Sequence, residues 1–148
     1  MNYLPHHTAL LAMIRNGAAQ PNSKTIVIPE ELLKKILQLA LSAADFDEAT
    51  YLRENPDVAD SVRRGLVPDA KFHYVNYGYF EGRKGAIPVD GVWYERQYPD
   101  VATAIRSGKA EVKSPSEHFY VAGAGEGRSP NAASQVAVKA FFKDLQIS

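Results

Sequence analysis

The chain has 148 residues and a mass of 16.3 kDa, which suits one ordinary domain. Its 17 basic and 17 acidic residues cancel, removing the basic face with which a nucleic-acid binder neutralises phosphates. The absence of cysteine excludes a disulfide framework, a thiolate zinc site, an iron–sulfur cluster and a cysteine nucleophile, while 45% hydrophobic and 23% charged residues argue against wholesale disorder.

At the N-terminus, residues 1–17 carry no basic n-region, and the apolar run 9–14 is short and closes on Arg15, so no secretory signal is read there. No stretch approaches the roughly 20 apolar residues of a membrane-spanning helix. A cytoplasmic location is the expectation, with signal-less export compatible with it. Residues 8–16 read as a short helix ending near Gly17, residues 18–23 as a loop, and residues 25–28 as extended chain. Pro29 then suits the first position of a helix, with Glu30 and Glu31 favourable in its first turn. Over 29–44 the apolar residues Leu32, Leu33, Ile36, Leu37, Leu39, Ala40 and Leu41 cover more than half the circumference. That pattern predicts a central core helix, with a second reading in which it also builds a homodimer interface.

The informative feature is a duplication. Residues 46–83 align with residues 89–128: Asp47 with Asp90, Tyr51 with Tyr94, and Pro56-Asp57-Val58-Ala59 with Pro99-Asp100-Val101-Ala102. Gly65 falls on Gly108, and after a two-residue insertion His73 falls on His118, Gly78 on Gly123, and Glu81-Gly82-Arg83 on Glu126-Gly127-Arg128. Each unit reads as three short helices. Asp47 and Asp90 are candidate N-caps of the first. Pro56 and Pro99 open the second, which Gly65 and Gly108 stop. Ser114-Pro115-Ser116-Glu117 is a capping box for the third, Pro68-Asp69 does a similar job in unit one, and Gly78 and Gly123 are expected to end these helices. Asn131 is then expected to cap a last helix with Val138, Phe141, Phe142 and Leu145 on one face. The expected fold is all-α: one compact domain of an N-terminal segment (1–45), two diverged three-helix repeats (46–88 and 89–130) and a C-terminal helix (131–148).

The order Pro-Asp-Val-Ala, then His-aromatic, then Gly-x-x-Glu-Gly-Arg resembles a bacterial repeat whose usual form starts aspartate-tyrosine-leucine and continues NPDVA and HY(L)xxGxxEGRxP. The resemblance spans Phe46 to Pro130; unit one has Lys84-Gly85 in place of the trailing proline, and unit two has Tyr98 where asparagine is usual. Such repeats are similar to accessory segments of glycosyltransferases and rhamnan-synthesis proteins of surface polysaccharide, and to segments of large secreted calcium-repeat proteins. The resemblance implies a non-catalytic module connected with the cell envelope or exopolysaccharide. No glycosyltransferase catalytic region fits the remaining residues, and the one aspartate-x-aspartate, Asp45-Phe46-Asp47, stands at the start of unit one, where Asp47 is read as a helix N-cap.

His73 and His118 are too few for a closed metal site and lack an HxxxH or HExxH context, so each is expected to bond a backbone group of its own unit. Glu81 and Arg83, like Glu126 and Arg128, are expected to be structural, with Arg83 pairing Asp57 and Arg128 pairing Asp100 across the unit. The aromatic residues Tyr74, Tyr77, Tyr79, Trp93 and Tyr120 are candidate binding residues, with Tyr77 and Tyr79 expected to be exposed because unit two carries Ala122 and Ala124 there. No catalytic residue, metal or cofactor is predicted. The leading expectation is a non-enzymatic protein-interaction module of a bacterial envelope or exopolysaccharide system. The alternatives are a small carbohydrate-binding protein, with polysaccharide as ligand, and an enzyme with an unrecognised carboxylate–histidine site. Neither nucleic acid nor membrane insertion is expected.

Overall fold

The structure, a computed structural model, describes residues 4–7, 10, 27–108 and 112–145, with side chains as far as Lys143. It is all-α, with no strand among the described residues. The helices are α1 (Glu30–Ala43), α2 (Glu48–Glu54), α3 (Pro56–Arg63), α4 (Ala70–His73), α5 (Gly91–Gln97), α6 (Pro99–Arg106), α7 (Pro115–His118) and α8 (Gln135–Leu145). Helices α4 and α7 run directly into single π-helical turns, Tyr74–Gly78 and Phe119–Gly123.

The local chemistry of the two units is the same at equivalent positions. Asp47 accepts from Thr50 N at 3.0 Å and Asp90 from Trp93 N at 3.0 Å, satisfying one of the unpaired N–H groups that open α2 and α5. Pro56 and Pro99 occupy the first turns of α3 and α6, where a missing N–H costs nothing. Gly65 and Gly108 follow those helices at φ of 69° and 65°, in the left-handed region where only glycine is unstrained. Asp69 caps α4 through Phe72 N at 2.7 Å, with Pro68 just outside the helix. Ser114 caps α7 through Glu117 N at 3.1 Å; the Glu117 carboxylate reaches back to Lys113 N (2.7 Å), one residue beyond the Ser114 N–H of a standard capping box. Each unit closes on itself: Asp47 N donates to the Ala86 carbonyl at 2.9 Å and Asp90 N to that of Pro130 at 3.1 Å.

Two apolar cores result. Leu41, Tyr51, Val58, Ala70, Tyr74, Val75, Tyr79 and Ala86 form the first. Ile87, Tyr94, Val101, Phe119, Tyr120 and Ala124 form the second. Residues 4–6 join the two. Pro5 is fully buried and its carbonyl accepts from the Tyr79 hydroxyl at 2.9 Å, while the His6 ring meets Tyr120 edge-on at 5.6 Å.

Two expectations are corrected. Helix α1 is not central: only Leu41 is buried, and Leu32, Ile36 and Leu39 stay 48%, 51% and 76% exposed. At about 100° per residue, Leu37 and Leu41 lie on the side opposite those three, so α1 rests one apolar face on the first core and turns another outward. Gly78 and Gly123 are the last residues of the π-helical turns, and the chain then turns through Gly82 and Gly127 at φ of 68° and 72°. Arg83 N to Gly78 O (2.9 Å) and Gly82 N to Tyr79 O (3.1 Å) form a Schellman motif, repeated by Arg128 N to Gly123 O (2.8 Å) and Gly127 N to Ala124 O (3.3 Å). Asn131 caps the turn before α8 rather than α8 itself, through Ser134 N at 3.0 Å, while the Ser134 carbonyl accepts from Val138 N at 2.9 Å. Val138 is fully buried and Phe142 covers Gly127, but Phe141 is only half-buried. Apart from Leu10, the helix expected at 8–16 lies outside the described residues, as do the loop at 18–23 and the extended residues 25 and 26; Val27 and Ile28 are exposed irregular chain.

Candidate functional site

The sequence places every candidate polar residue of a unit near one corner, where the end of the third helix meets the start of the second. The Schellman turn at Gly82 aims Arg83 back toward α3. Its Nη1 lies 2.8 Å from Asp57 Oδ2 and its Nε 2.6 Å from Glu81 Oε2. Arg128 repeats this with Asp100 (2.7 Å from Nη2, 3.0 Å from Nη1) and Glu126 (2.6 Å from Nε). The Arg128–Asp100 contact is the two-pronged geometry that a planar guanidinium suits and an ammonium cannot reproduce. The carboxylates are the exposed partners, at 62% for both aspartates, whereas Arg83 and Arg128 are 26% and 21% exposed. The hydrogen bond from Arg128 holds the Asp100 carboxyl below its ordinary range, and its bonds to Asp100 and Glu126 raise the arginine's own pKa. At Asp57 burial is the largest single influence and acts upward, but the hydrogen bond and charge of Arg83, with two backbone hydrogen bonds, together outweigh it and the net shift is downward.

Beneath the arginine sits a tyrosine–histidine pair. The Tyr51 hydroxyl lies 3.0 Å from His73 Nδ1, and the Tyr94 hydroxyl 3.1 Å from His118 Nδ1. Each histidine therefore bonds a buried tyrosine of its own unit, not the backbone group expected from the sequence. Burial lowers both histidine pKa values, and the nearby arginine adds to the shift, so the neutral ring is favoured; its Nε2–H tautomer lets the tyrosine donate to Nδ1. Burial pushes the Tyr51 hydroxyl up to about 12 and raises Tyr94 as well. Gly78 and Gly123 make room for these hydroxyls: a Cβ there would lie 2.0 Å from the Tyr51 oxygen and 2.2 Å from that of Tyr94.

The departure at Tyr98 has a structural counterpart. In unit one Asn55 donates to the carbonyls of Tyr51 (2.8 Å) and Lys84 (3.0 Å). In unit two the Tyr98 hydroxyl instead accepts from Ser129 N at 2.7 Å, and its ring lies under the Arg128 guanidinium at 4.9 Å. Both residues tie the same chain segment to the start of the second helix through opposite backbone groups.

The candidate binding aromatics do not form one surface. Tyr79 is 1% exposed, which corrects the expectation of exposure; its hydroxyl is directed to Pro5 rather than to solvent. Tyr74 and Tyr120 are also buried, the latter with its hydroxyl between the Ile87 N–H (2.6 Å) and carbonyl (3.0 Å). Trp93 is half-buried against Tyr98 at 6.2 Å. Tyr77 is 52% exposed, and Phe72 on the same stretch is 43% exposed. Phe72 was not singled out from the sequence, although its counterpart in unit two is Glu117, the kind of asymmetry that marks Tyr77. Between them Asn76 accepts from the Gln38 amide at 3.2 Å, placing this face next to α1.

Among the described residues no group of three or more histidines or carboxylates is placed to hold a metal ion, and His73 and His118 each stay within their own unit's cluster. No described helix is long and apolar enough to cross a membrane. Compared with known proteins, the chain matches no family model, no curated protein and no solved structure.

Proposed function

We propose that this protein is a non-enzymatic adaptor that binds another protein, working on the cytoplasmic side of a bacterial envelope or exopolysaccharide system. The observation that supports the adaptor reading is how the repeat's polar residues are used. Each arginine is committed to two carboxylates and each histidine to a tyrosine, so the groups that could do acid–base chemistry are spent on holding the units together. What unit one turns outward instead is aromatic, Phe72 and Tyr77, where unit two has Glu117 and Ala122. Aromatic side chains of this kind anchor protein partners. The envelope setting rests on the resemblance of the repeat. A polysaccharide ligand is the second reading, favoured by the half-exposed Tyr77 following Asn76, whose side chain accepts from Gln38, since sugars are recognised by an aromatic face together with amide hydrogen bonds.

A photo-crosslinking residue at position 77, compared with one at the exposed Val92 of unit two, tests this in lysate of the source organism. Capture at 77 but not at 92 of an envelope or glycan-synthesis protein, lost in the Phe72→Ala variant, is the expected result. Retention on a polysaccharide array that Tyr77→Ala abolishes, with no protein captured, would reverse the order of the two readings.

A further inference from the structure

We propose that residues 4–7 are a pH-released clasp, which holds the two units in one arrangement and lets them swing about the Ala86–Ile87 peptide when His6 takes up a proton. The joint between the units has two points, and the first is this pivot. Ala86 belongs to the first core, and its carbonyl accepts from Asp47 N at 2.9 Å. Ile87, the next residue, belongs to the second core, with its N–H and its carbonyl both bonded to the Tyr120 hydroxyl at 2.6 and 3.0 Å. Among the described residues no helix of unit one lies broadly against a helix of unit two. Beside Leu4 a cavity lies between Leu41 and Tyr74 on one side and Ile87 and Ser134 on the other. Close packing of the helices therefore does not set the angle between the units.

The second point is the clasp. Leu4 packs on the first core, and the fully buried Pro5 takes the Tyr79 hydroxyl at 2.9 Å. The His6 ring is 3% exposed; the backbone of Gly82 and Arg83 in the closing turn of unit one hydrogen-bonds it, and it meets Tyr120 of the second core edge-on. Tyr79 gives this docking point to unit one alone, because its counterpart Ala124 has no hydroxyl. The groups around His6 decide what protonation does. The closing turn supplies Lys84 and Arg83, the latter already engaged by Asp57 and Glu81. The clasp supplies His7, whose ring meets Tyr79 and Phe80, and α1 supplies Lys34 over the Phe80 ring. Unit two supplies the neutral Tyr120. Burial lowers the His6 pKa from 6.5, and the basic His7 and Lys84 act the same way; the two backbone hydrogen bonds act upward without reversing the shift. An imidazolium at this place is thus buried among charges of its own sign. A released ring regains its ordinary pKa, so below 6.5 each unit of pH favours release by about tenfold, down to the value of the clasped ring.

The distance between the units tests this, read by pulsed electron spin resonance on the full chain with spin labels at Leu66→Cys and Val92→Cys. Both positions are exposed, one in each unit, and the chain has no cysteine of its own. The expected result is one narrow distribution at pH 7.5 that broadens between pH 6.5 and 5, while far-UV circular dichroism keeps its helical signal. The broadening persists in His73→Gln/His118→Gln. At least one of His6→Phe and His6→Gln, neutral at every pH, stays narrow at pH 5.5. A distribution unchanged at pH 5, broadening that comes only with loss of the helical signal, its abolition in His73→Gln/His118→Gln, or broadening at pH 5.5 in both His6 variants would each overturn the proposal.

Discussion

Gly78 and Tyr51 show how a single missing methyl group fixes a unit. The hydroxyl of the fully buried Tyr51 needs a partner, and it reaches His73 only because nothing projects from Gly78 into its path. Gly78→Ala forces a contact 2.0 Å from that oxygen, so either the tyrosine or the helix must move. Overpacking of this kind costs about 2–3 kcal/mol. Tyr51→Phe removes the colliding oxygen at the cost of the hydrogen bond, about 1 kcal/mol. The double variant Tyr51→Phe/Gly78→Ala is expected to be less destabilised than the sum of the single ones by more than 1 kcal/mol. Urea unfolding of the four proteins in the cycle measures this coupling, and strict additivity would mean that the glycine is needed for something other than the tyrosine.

At the level of elements, the polar motif was legible in the sequence where it used local chemistry. Asp47, Asp90 and Ser114 cap the helices they precede, and Gly65 and Gly108 stop theirs, because a cap or a left-handed stop is decided by a few adjacent residues. The Arg83–Asp57 and Arg128–Asp100 pairs were legible for a different reason: both ends recur in the duplicated sequence. What the sequence concealed depended on packing across the chain. The π-helical turns, Tyr74–Gly78 and Phe119–Gly123, carry no composition signal. Tyr79 looked like a surface residue because its counterpart is alanine, yet its hydroxyl finds Pro5, 74 residues away. Helix α1 looks central because its apolar residues surround it, while among the described residues only one of its faces is packed. The shared arginine motif also carries a prediction. In Arg128→Lys the two-pronged contact with Asp100 and the guanidinium's place over the Tyr98 ring are both lost, while the charge is kept. After allowing for the exposure of Asp100, the expected loss is about 1 kcal/mol, against little change for Arg106→Lys, whose bond to Glu95 at 3.2 Å is a surface contact. Equal effects of the two substitutions in thermal unfolding would deny Arg128 its part in fastening the last turn of unit two to α6.

Across the whole molecule, the titrating groups are distributed so that folding favours their neutral or paired forms, and this sets a pH range. His6, His7, His73 and His118 all have pKa values lowered from 6.5, with burial as the leading cause in each. Two of them also join the molecule together: His6 lies against Tyr120 of the second core and His7 against Tyr79 of the first. A lowered histidine pKa means that the unfolded chain takes up protons first. Stability is therefore complete above 6.5 and declines as the pH falls from there through the folded-state values. Asp57 and Asp100, lowered from 3.8, give a second decline only below that value. On the alkaline side the raised Tyr51 and Tyr94 pKa values give the opposite sign: their contribution is present below 10.0 and is lost as the pH rises through about 12 at Tyr51. The formal net charge of zero keeps overall charge repulsion small across the middle of this range. Melting temperatures are thus expected to be level from pH 7 to 9 and to fall between pH 6.5 and 5, before the aspartates begin to titrate. In His73→Gln/His118→Gln the fall should be shallower, because only His6 and His7 still respond. A melting temperature that stays level or rises on going from pH 7 to 5 would contradict the neutral, buried state assigned to these rings, and with it the tyrosine-to-histidine direction of both hydrogen bonds.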